Sequence, residues 1–220
     1  MPIRPSGRLL VIIVLFITCL ITANTIGVKL IGLGSLTLPA AIIVFPLNYI
    51  FGDILTEVYG YHWARRAIWL GFFCNLIFAF FVWAGGLLPA ASFWEGQSAY
   101  QTILGYTPRL LLASFSGYLV GEFVNSFVLS RLKIATRGRW LWLRTISSSV
   151  IGEGLDSAIF IVIAFSGPSF SIGLIITHWL AKVAIEALAT PLTYIVVGYL
   201  KRKEEIDVYD KHVNINPFKI

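Results

Sequence analysis

FPLNYIFGDILTEVYGYHWARR, residues 45–66, sets Asn48, Asp53 and Glu57 inside an apolar run and ends on a paired Arg65 and Arg66. Asp53 and Glu57 are four positions apart, so on a helix both carboxylates leave one face about a turn apart and repel each other. A carboxylate near the centre of a membrane helix costs about 2.5–3.5 kcal/mol to insert. Such a pair persists only where the protein uses it. The stretch therefore reads as one wall of a polar site, and Pro46 and Gly52 are expected to break or loosen the helix that carries it.

Outward from this stretch the chain is apolar almost throughout. Of its 220 residues 57% are hydrophobic and 13% charged, with a mean hydropathy of +0.81. That is too apolar for a soluble domain of this size. Runs long enough to cross a bilayer fall at residues 9–25, 36–59, 67–88, 110–129, 145–165 and 172–200. The expected fold is an all-α integral membrane protein with six transmembrane helices over residues 1–203, in contact with the lipid bilayer. A polar, non-helical tail follows over 204–220, containing Asn216-Pro217-Phe218.

The basic residues orient these spans. Arg4 and Arg8 precede the first, Arg65 and Arg66 follow the second, and Arg131, Lys133, Arg137, Arg139 and Arg144 join the fourth to the fifth. With Lys201, Arg202, Lys203, Lys211 and Lys219 after the sixth, these are 14 of the 17 basic residues, all on one side of a six-span protein. The positive-inside rule places both termini in the cytoplasm. The net charge of +6 is thus topology charge and calls for no nucleic acid. The first run reads as a retained helix and not a cleaved leader, because no small-x-small site is well placed after it. Cys19 and Cys74 lie within apolar spans without a paired spacing, as small core residues do.

Two connections are longer than the rest. Residues 85–109 carry Phe93, Trp94, Tyr100 and Tyr106, a spacing that suits an amphipathic segment at the membrane surface, either an aromatic anchor or a lid. The basic connection with Trp140 and Trp142 reads as an interfacial anchor.

Polar residues recur in the spans. Gly52-Asp53 with Thr56-Glu57, Gly121-Glu122 with Asn125-Ser126, and Gly152-Glu153 with Asp156-Ser157 each join a small residue to an acid and to polar groups on the same helix face. Three helices can thus turn polar faces to one cavity. The sixth span adds His178, Lys182 and Glu186 on one face, where Lys182 either pairs with Glu186 or faces the acids. Six acids against one lysine cannot all pair internally. Some must reach water, hold a proton or await a ligand with several donors. Glu57, near Arg65 and Arg66, is the best candidate for a purely structural acid. His62, His178 and His212 are scattered, and no HExxH, GxSxG or phosphate-loop motif occurs, so neither an intramembrane enzyme, a metal site, a cofactor nor ATP hydrolysis by this chain is indicated.

Together these residues resemble a known family. FPLNYIFGDILTEVYGY with the following ARR, GEFVNS in the fourth span, GEGLDS in the fifth, the KxxxE of the sixth and the Asn-Pro-Phe tail are similar to the queuosine precursor transporters, a vitamin-uptake-like family. The resemblance implies a six-helix importer of the bacterial inner membrane, related to the substrate-binding components of energy-coupling-factor vitamin transporters. Its substrates would be the 7-deazaguanine bases 7-cyano-7-deazaguanine and 7-aminomethyl-7-deazaguanine. A guanine-like edge offers N–H donors for carboxylates, a carbonyl for an amide or lysine, and a flat face for aromatics. The candidate binding set is Phe45, Asn48, Tyr49, Asp53, Glu122, Asn125, Glu153, Asp156, Lys182 and Glu186. The family motif carries over onto Asp53, Asn125, Asp156 and Lys182, whereas the positions of Glu57 and Glu153 are not always acidic in the family. Another vitamin or nucleobase-like substrate and a membrane assembly role remain the alternatives. The driving force stays open between facilitated diffusion, proton coupling and a separate ATPase module, and self-association is equally open.

Overall fold

The computed structural model describes residues 6–33, 36–105, 108–166, 172–211 and 216–217. Helix α1 (Gly7–Ile26) begins at Ser6, whose hydroxyl accepts a hydrogen bond from the Leu9 amide at 3.1 Å and so satisfies one of the free donors of the first turn. A short antiparallel hairpin follows, β1 (Leu30–Leu33) and β2 (Leu36–Pro39), with Leu30 opposite Pro39. A 3-10 turn (Ala40–Ile43) then leads into α2 (Phe45–Ile54), which passes into a π-helical turn (Leu55–Tyr59). The long α3 (Tyr61–Leu87), the short α4 (Gln97–Leu104), α5 (Pro108–Ala135), α6 (Leu141–Phe165) and α7 (Ile172–Glu204) complete the chain.

Five of these helices, α1, α3, α5, α6 and α7, are each long and apolar enough to cross a membrane. The protein is a multi-pass, helical membrane protein. The second apolar run differs from expectation, because residues 36–59 are a strand, a 3-10 turn, a ten-residue α-helix and a π turn in series. The breaks lie where the backbone loses donors: Pro39 ends β2, and Pro46 sits in the first turn of α2, where its missing N–H is not needed. Gly52 does not break the helix but stays within it. The hairpin is a second departure from an all-helical expectation.

The π turn explains why Asp53 and Glu57 do not share a face. Its i→i+5 bonds widen the turn, so the i, i+4 register set by the sequence is lost between the two acids. Asp53 points to Asn125 of α5, while Glu57 points to the basic end of the helices. There Glu57 is fully buried, with its Oε1 2.8 Å from Arg144 Nη2, 2.6 Å from Lys201 Nζ and 3.7 Å from Lys133 Nζ. The ion pairs it forms are with these three residues and not with the neighbouring Arg65 and Arg66. Arg65 donates instead to the Asn216 carbonyl at 2.8 Å.

The tail folds back across this same end. Lys133 Nζ reaches the Val208 carbonyl at 2.6 Å, and the Asp210 carboxylate accepts from the Tyr61 amide and from Ser130 Oγ, both at 2.8 Å. Trp69 Nε1 donates to the Pro217 carbonyl at 2.8 Å. The strap lies over Gly60, whose φ of +88° joins the π turn to α3. A Cβ there would meet Val208 Cγ1 at 2.7 Å, so the left-handed turn and the close approach both call for glycine. Asp207 bridges Lys133 at 2.6 Å and Lys201 at 2.9 Å. Burial pushes its carboxyl up, but the hydrogen bonds and charges of the two lysines outweigh that and hold it below its ordinary value. A depressed carboxyl contributes while ionised, so this contact holds at neutral pH and is lost only as pH falls through the lowered value. Asp210→Ala is expected to leave the buried Tyr61 amide without its acceptor and to cost about 1–3 kcal/mol. A thermal midpoint equal to that of the unaltered protein in the same detergent would refute the docked strap.

At the other end, α4 lies against the end of α3. Tyr100 Oη donates to the Val82 carbonyl at 2.8 Å, Gln97 Nε2 to the Gly86 carbonyl at 3.2 Å, and Trp94 meets Tyr100 edge-on. In the middle of the molecule α5 and α6 make the tightest helix contact. A Cβ on Gly152 would lie 2.7 Å from Asn125 Cβ and 2.8 Å from the Gly121 carbonyl, so the two backbones touch through their glycines.

Candidate functional site

A cavity of about 430 Å³ opens among α1, α2, α3, α5, α6 and α7, within the usual range for small-molecule sites. Seven of the ten residues in the candidate binding set line it: Asn48, Tyr49, Glu122, Asn125, Glu153, Asp156 and Lys182. Asp53 and Glu186 do not. Both are buried one layer behind it, and the Phe45 side chain lies outside the described residues.

Glu122 of α5 is the most unusual of these groups. It is 5% exposed, and neither of its carboxylate oxygens has a hydrogen-bond partner among the described residues. Gly52 of α2 packs against this carboxylate, which lines the cavity and has no ion-pair partner among the described residues. Glu153 of α6 faces Tyr49 and Glu186 as its nearest polar neighbours, and among the described residues neither of its oxygens reaches a partner in full hydrogen-bond geometry. The Oδ1 of Asn48 is also without a partner among the described residues. Buried polar atoms are nearly always bonded, so several unsatisfied acceptors around one cavity mark a place for a donor-rich ligand.

Opposite the acids, Lys182 of α7 is hydrogen-bonded and ion-paired to Asp156 of α6. Glu186, the alternative partner one turn along α7, accepts from Ser149. Asn125 is held from behind: its Nδ2 donates to Asp53 Oδ1 at 3.3 Å, and Ser149 Oγ lies 3.4 Å from its Oδ1. His178 sits within 3.1 Å of Ser157 Oγ and stacks on Phe160. Among the described residues no group of three His, Cys, Asp or Glu side chains is arranged to hold a metal ion.

Several wall residues were not singled out from sequence. Asn24 and Ser114 meet at 3.4 Å on the rim, Asn75 of α3 is 3% exposed, and Tyr118 donates to the Ile68 carbonyl at 3.1 Å while presenting its ring to the cavity with Phe115 and Phe160. The signal for Asn75 was present, because a lone amide in an apolar span needs a partner inside the protein. The aromatic lining carries no such signal, since aromatic residues also fill the apolar spans on every side. The assembled cavity offers acceptors on the Glu122 and Glu153 walls, an ammonium–carboxylate pair on another, and flat aromatic faces between them.

Residues 39–196 match the family described as "Putative vitamin uptake transporter". The chain belongs to that family. A "Probable queuosine precursor transporter" of Bacillus subtilis is 30% identical over 178 residues, covering 79% of this chain and 78% of the relative. A "Queuosine precursor transporter" of Escherichia coli is 28% identical over 121 residues, and a "Probable queuosine precursor transporter" of Haemophilus influenzae 26% over 123 residues. Those two alignments cover 55% and 56% of this chain and about half of each relative, 52% and 50%. No solved structure matches. The protein is thus a membrane transporter and not an enzyme, and the acids, amides and lysine that line its cavity on α2, α5, α6 and α7 fall within the matched region, whereas the α1 wall lies before it.

Proposed function

We propose that the transporter imports a queuosine precursor, 7-cyano-7-deazaguanine or 7-aminomethyl-7-deazaguanine, and binds the base in the cavity walled by α2, α5, α6 and α7. The observation that carries this reading is the buried Glu122 carboxylate with both oxygens unpartnered. A guanine-type edge presents a ring N–H and an exocyclic NH₂ side by side, which a carboxylate accepts in parallel. Lys182 and the Asn125 amide are the available donors to the ring carbonyl, and Tyr49, Tyr118 and Phe115 are the flat faces. Asp53 is a positioning residue here, acting by fixing the Asn125 amide and not by touching the base.

The basic end closed by Glu57 and the strap is assigned to the cytoplasm, on the charge asymmetry of the loops. Arg8 at the start of α1 lies 3.1 Å from Glu204 at the end of α7, so the two termini of the helical domain meet at that end. With residues 40–59 as a discontinuous crossing, six passes of a bacterial inner membrane result, and the cavity opens away from the basic end.

Glu122→Gln keeps shape but replaces half of the anionic acceptor by a donor. Loss of one charge-assisted hydrogen bond of about 1.5–3 kcal/mol is expected to weaken binding about tenfold to a hundredfold. Asp53→Asn is expected to weaken it less, since Asn125 keeps its other contacts. Calorimetry on monodisperse protein with both deazaguanines, guanine and thiamine checks this. Equal affinity for the wild-type and Glu122→Gln proteins, or preference for an unrelated vitamin, would overturn the assignment.

A further inference from the structure

Behind the cavity wall a line of hydrogen-bonding groups joins two buried carboxyls: Asp53 on α2, Asn125 on α5, Ser149 on α6 and Glu186 on α7. Asp53 and Glu186 are 2% and 5% exposed. The ion pairs of the surrounding helices go elsewhere, to Glu57 and to Lys182–Asp156, so neither carboxyl has a cation within ion-pair distance among the described residues. The titratable groups facing Glu186 are Asp53 and Tyr49 of α2 and Glu153 of α6, the last within hydrogen-bonding reach of it.

We propose that Glu186 is the proton-carrying group of a proton-coupled import cycle, taking up one proton with each base and releasing it on the cytoplasmic side. The claim rests on the substrate reading above. Donor counting gives the mechanism. Ser149 has one hydroxyl hydrogen and three acceptors around it: Glu186 Oε1, Asn125 Oδ1 at 3.4 Å and the Thr145 carbonyl at 2.9 Å. When Glu186 is ionised the hydrogen goes to the carboxylate, as the charge-assisted bond is the stronger. When Glu186 is protonated, its own O–H donates to Ser149 Oγ, and the Ser149 hydrogen turns to the two remaining acceptors as a forked bond, to the Thr145 carbonyl at 2.9 Å and to Asn125 Oδ1 at 3.4 Å. Asn125 is then held at its oxygen by Ser149 and at its nitrogen by Asp53. The amide facing the cavity is locked in one orientation, with its second N–H aimed at the base. Pre-ordering a ligand group in its bound orientation strengthens binding, so proton and base bind with positive linkage. By reciprocity each raises the other's affinity. The charge balance is simple: carboxylate plus proton gives the neutral acid on loading, and the reverse on release.

Two assays on protein reconstituted in liposomes separate this proposal from the substrate assignment. Counterflow of labelled 7-cyano-7-deazaguanine at equal pH reads base recognition and translocation without a gradient. Accumulation against an inside-alkaline gradient, with the membrane potential clamped at zero, reads coupling. One proton per base makes a gradient of one pH unit worth about tenfold accumulation, collapsed by a protonophore. Glu186→Gln mimics the protonated side chain, since its amide donates to Ser149; it is expected to lose the response to the gradient and to bind the base with an affinity that no longer changes with pH. In the wild type, which needs no variant to fold, affinity for the base is expected to fall as pH rises. Wild-type counterflow without gradient-driven accumulation, pH-independent affinity, or gradient-driven accumulation by Glu186→Gln would each overturn the proposal. Absence of counterflow in the wild type would instead overturn the substrate assignment, and this proposal with it.

Discussion

Glu57→Gln is expected to destabilise the protein by about 3–5 kcal/mol, the usual cost of stranding buried charges by removing their partner. Glu57 is wholly buried, and Arg144, at 1% exposure, loses its one acidic partner among the described residues when the charge goes. Lys133 and Lys201 keep Asp207, so the loss is concentrated on Arg144. Removing both members should therefore recover much of the stability, because a buried ion pair replaced by apolar groups of similar volume is often neutral. The double variant Glu57→Gln/Arg144→Met is expected to unfold later than Glu57→Gln alone. Thermal and denaturant unfolding of the three proteins in one detergent checks this. A single variant as stable as the wild type would mean that the charges are solvated and that the basic end is not sealed.

Gly152→Leu carries the next largest effect, because it strikes packing and site together. Its Cβ would overlap Asn125 Cβ and the Gly121 carbonyl, both rigidly placed, and the reciprocal Cβ on Gly121 would meet Asp156 Cβ at 2.7 Å. The helices must part, and overpacking of this kind costs about 1–3 kcal/mol or more. Asn125 and Asp156 sit on the seam itself, so parting the helices also moves two cavity residues. Base affinity is expected to drop about a hundredfold or more, as each 1.4 kcal/mol is a factor of ten. Gly198→Leu is the control: only Arg202 Nη2 lies within 4 Å of its Cβ position, and it should bind normally. Comparable binding by Gly152→Leu and the control would show that the α5–α6 seam does not support the site.

The glycine–acid motifs were legible in the sequence as converging polar faces, because small residues and carboxylates in a membrane helix have few other uses. Gly121 and Gly152 meet each other, and Gly52 meets Glu122, as close helix approach requires. The partners of Glu57 were not legible, since the π turn shifts the register after Ile54 and no local residue announces it. Nor was the hairpin, whose apolar residues match a membrane span as well as they match strands. Lys182 illustrates a choice that spacing cannot make. Its i, i+4 neighbour Glu186 and the distant Asp156 were both open to it, and helix packing brings Asp156 within reach while Ser149 takes Glu186. The tail's role is carried largely by backbone carbonyls, at Val208, Asn216 and Pro217, which composition does not reveal.

The central claim, that a deazaguanine binds against Glu122 inside the helical domain, is tested most directly by an experimental structure of the transporter with 7-cyano-7-deazaguanine bound. The account predicts the base in the cavity between α2, α5, α6 and α7, its ring N–H and amino group within hydrogen-bond distance of the Glu122 carboxylate and its plane against an aromatic wall. A base bound elsewhere, or one in the cavity with Glu122 still unpartnered, would contradict it.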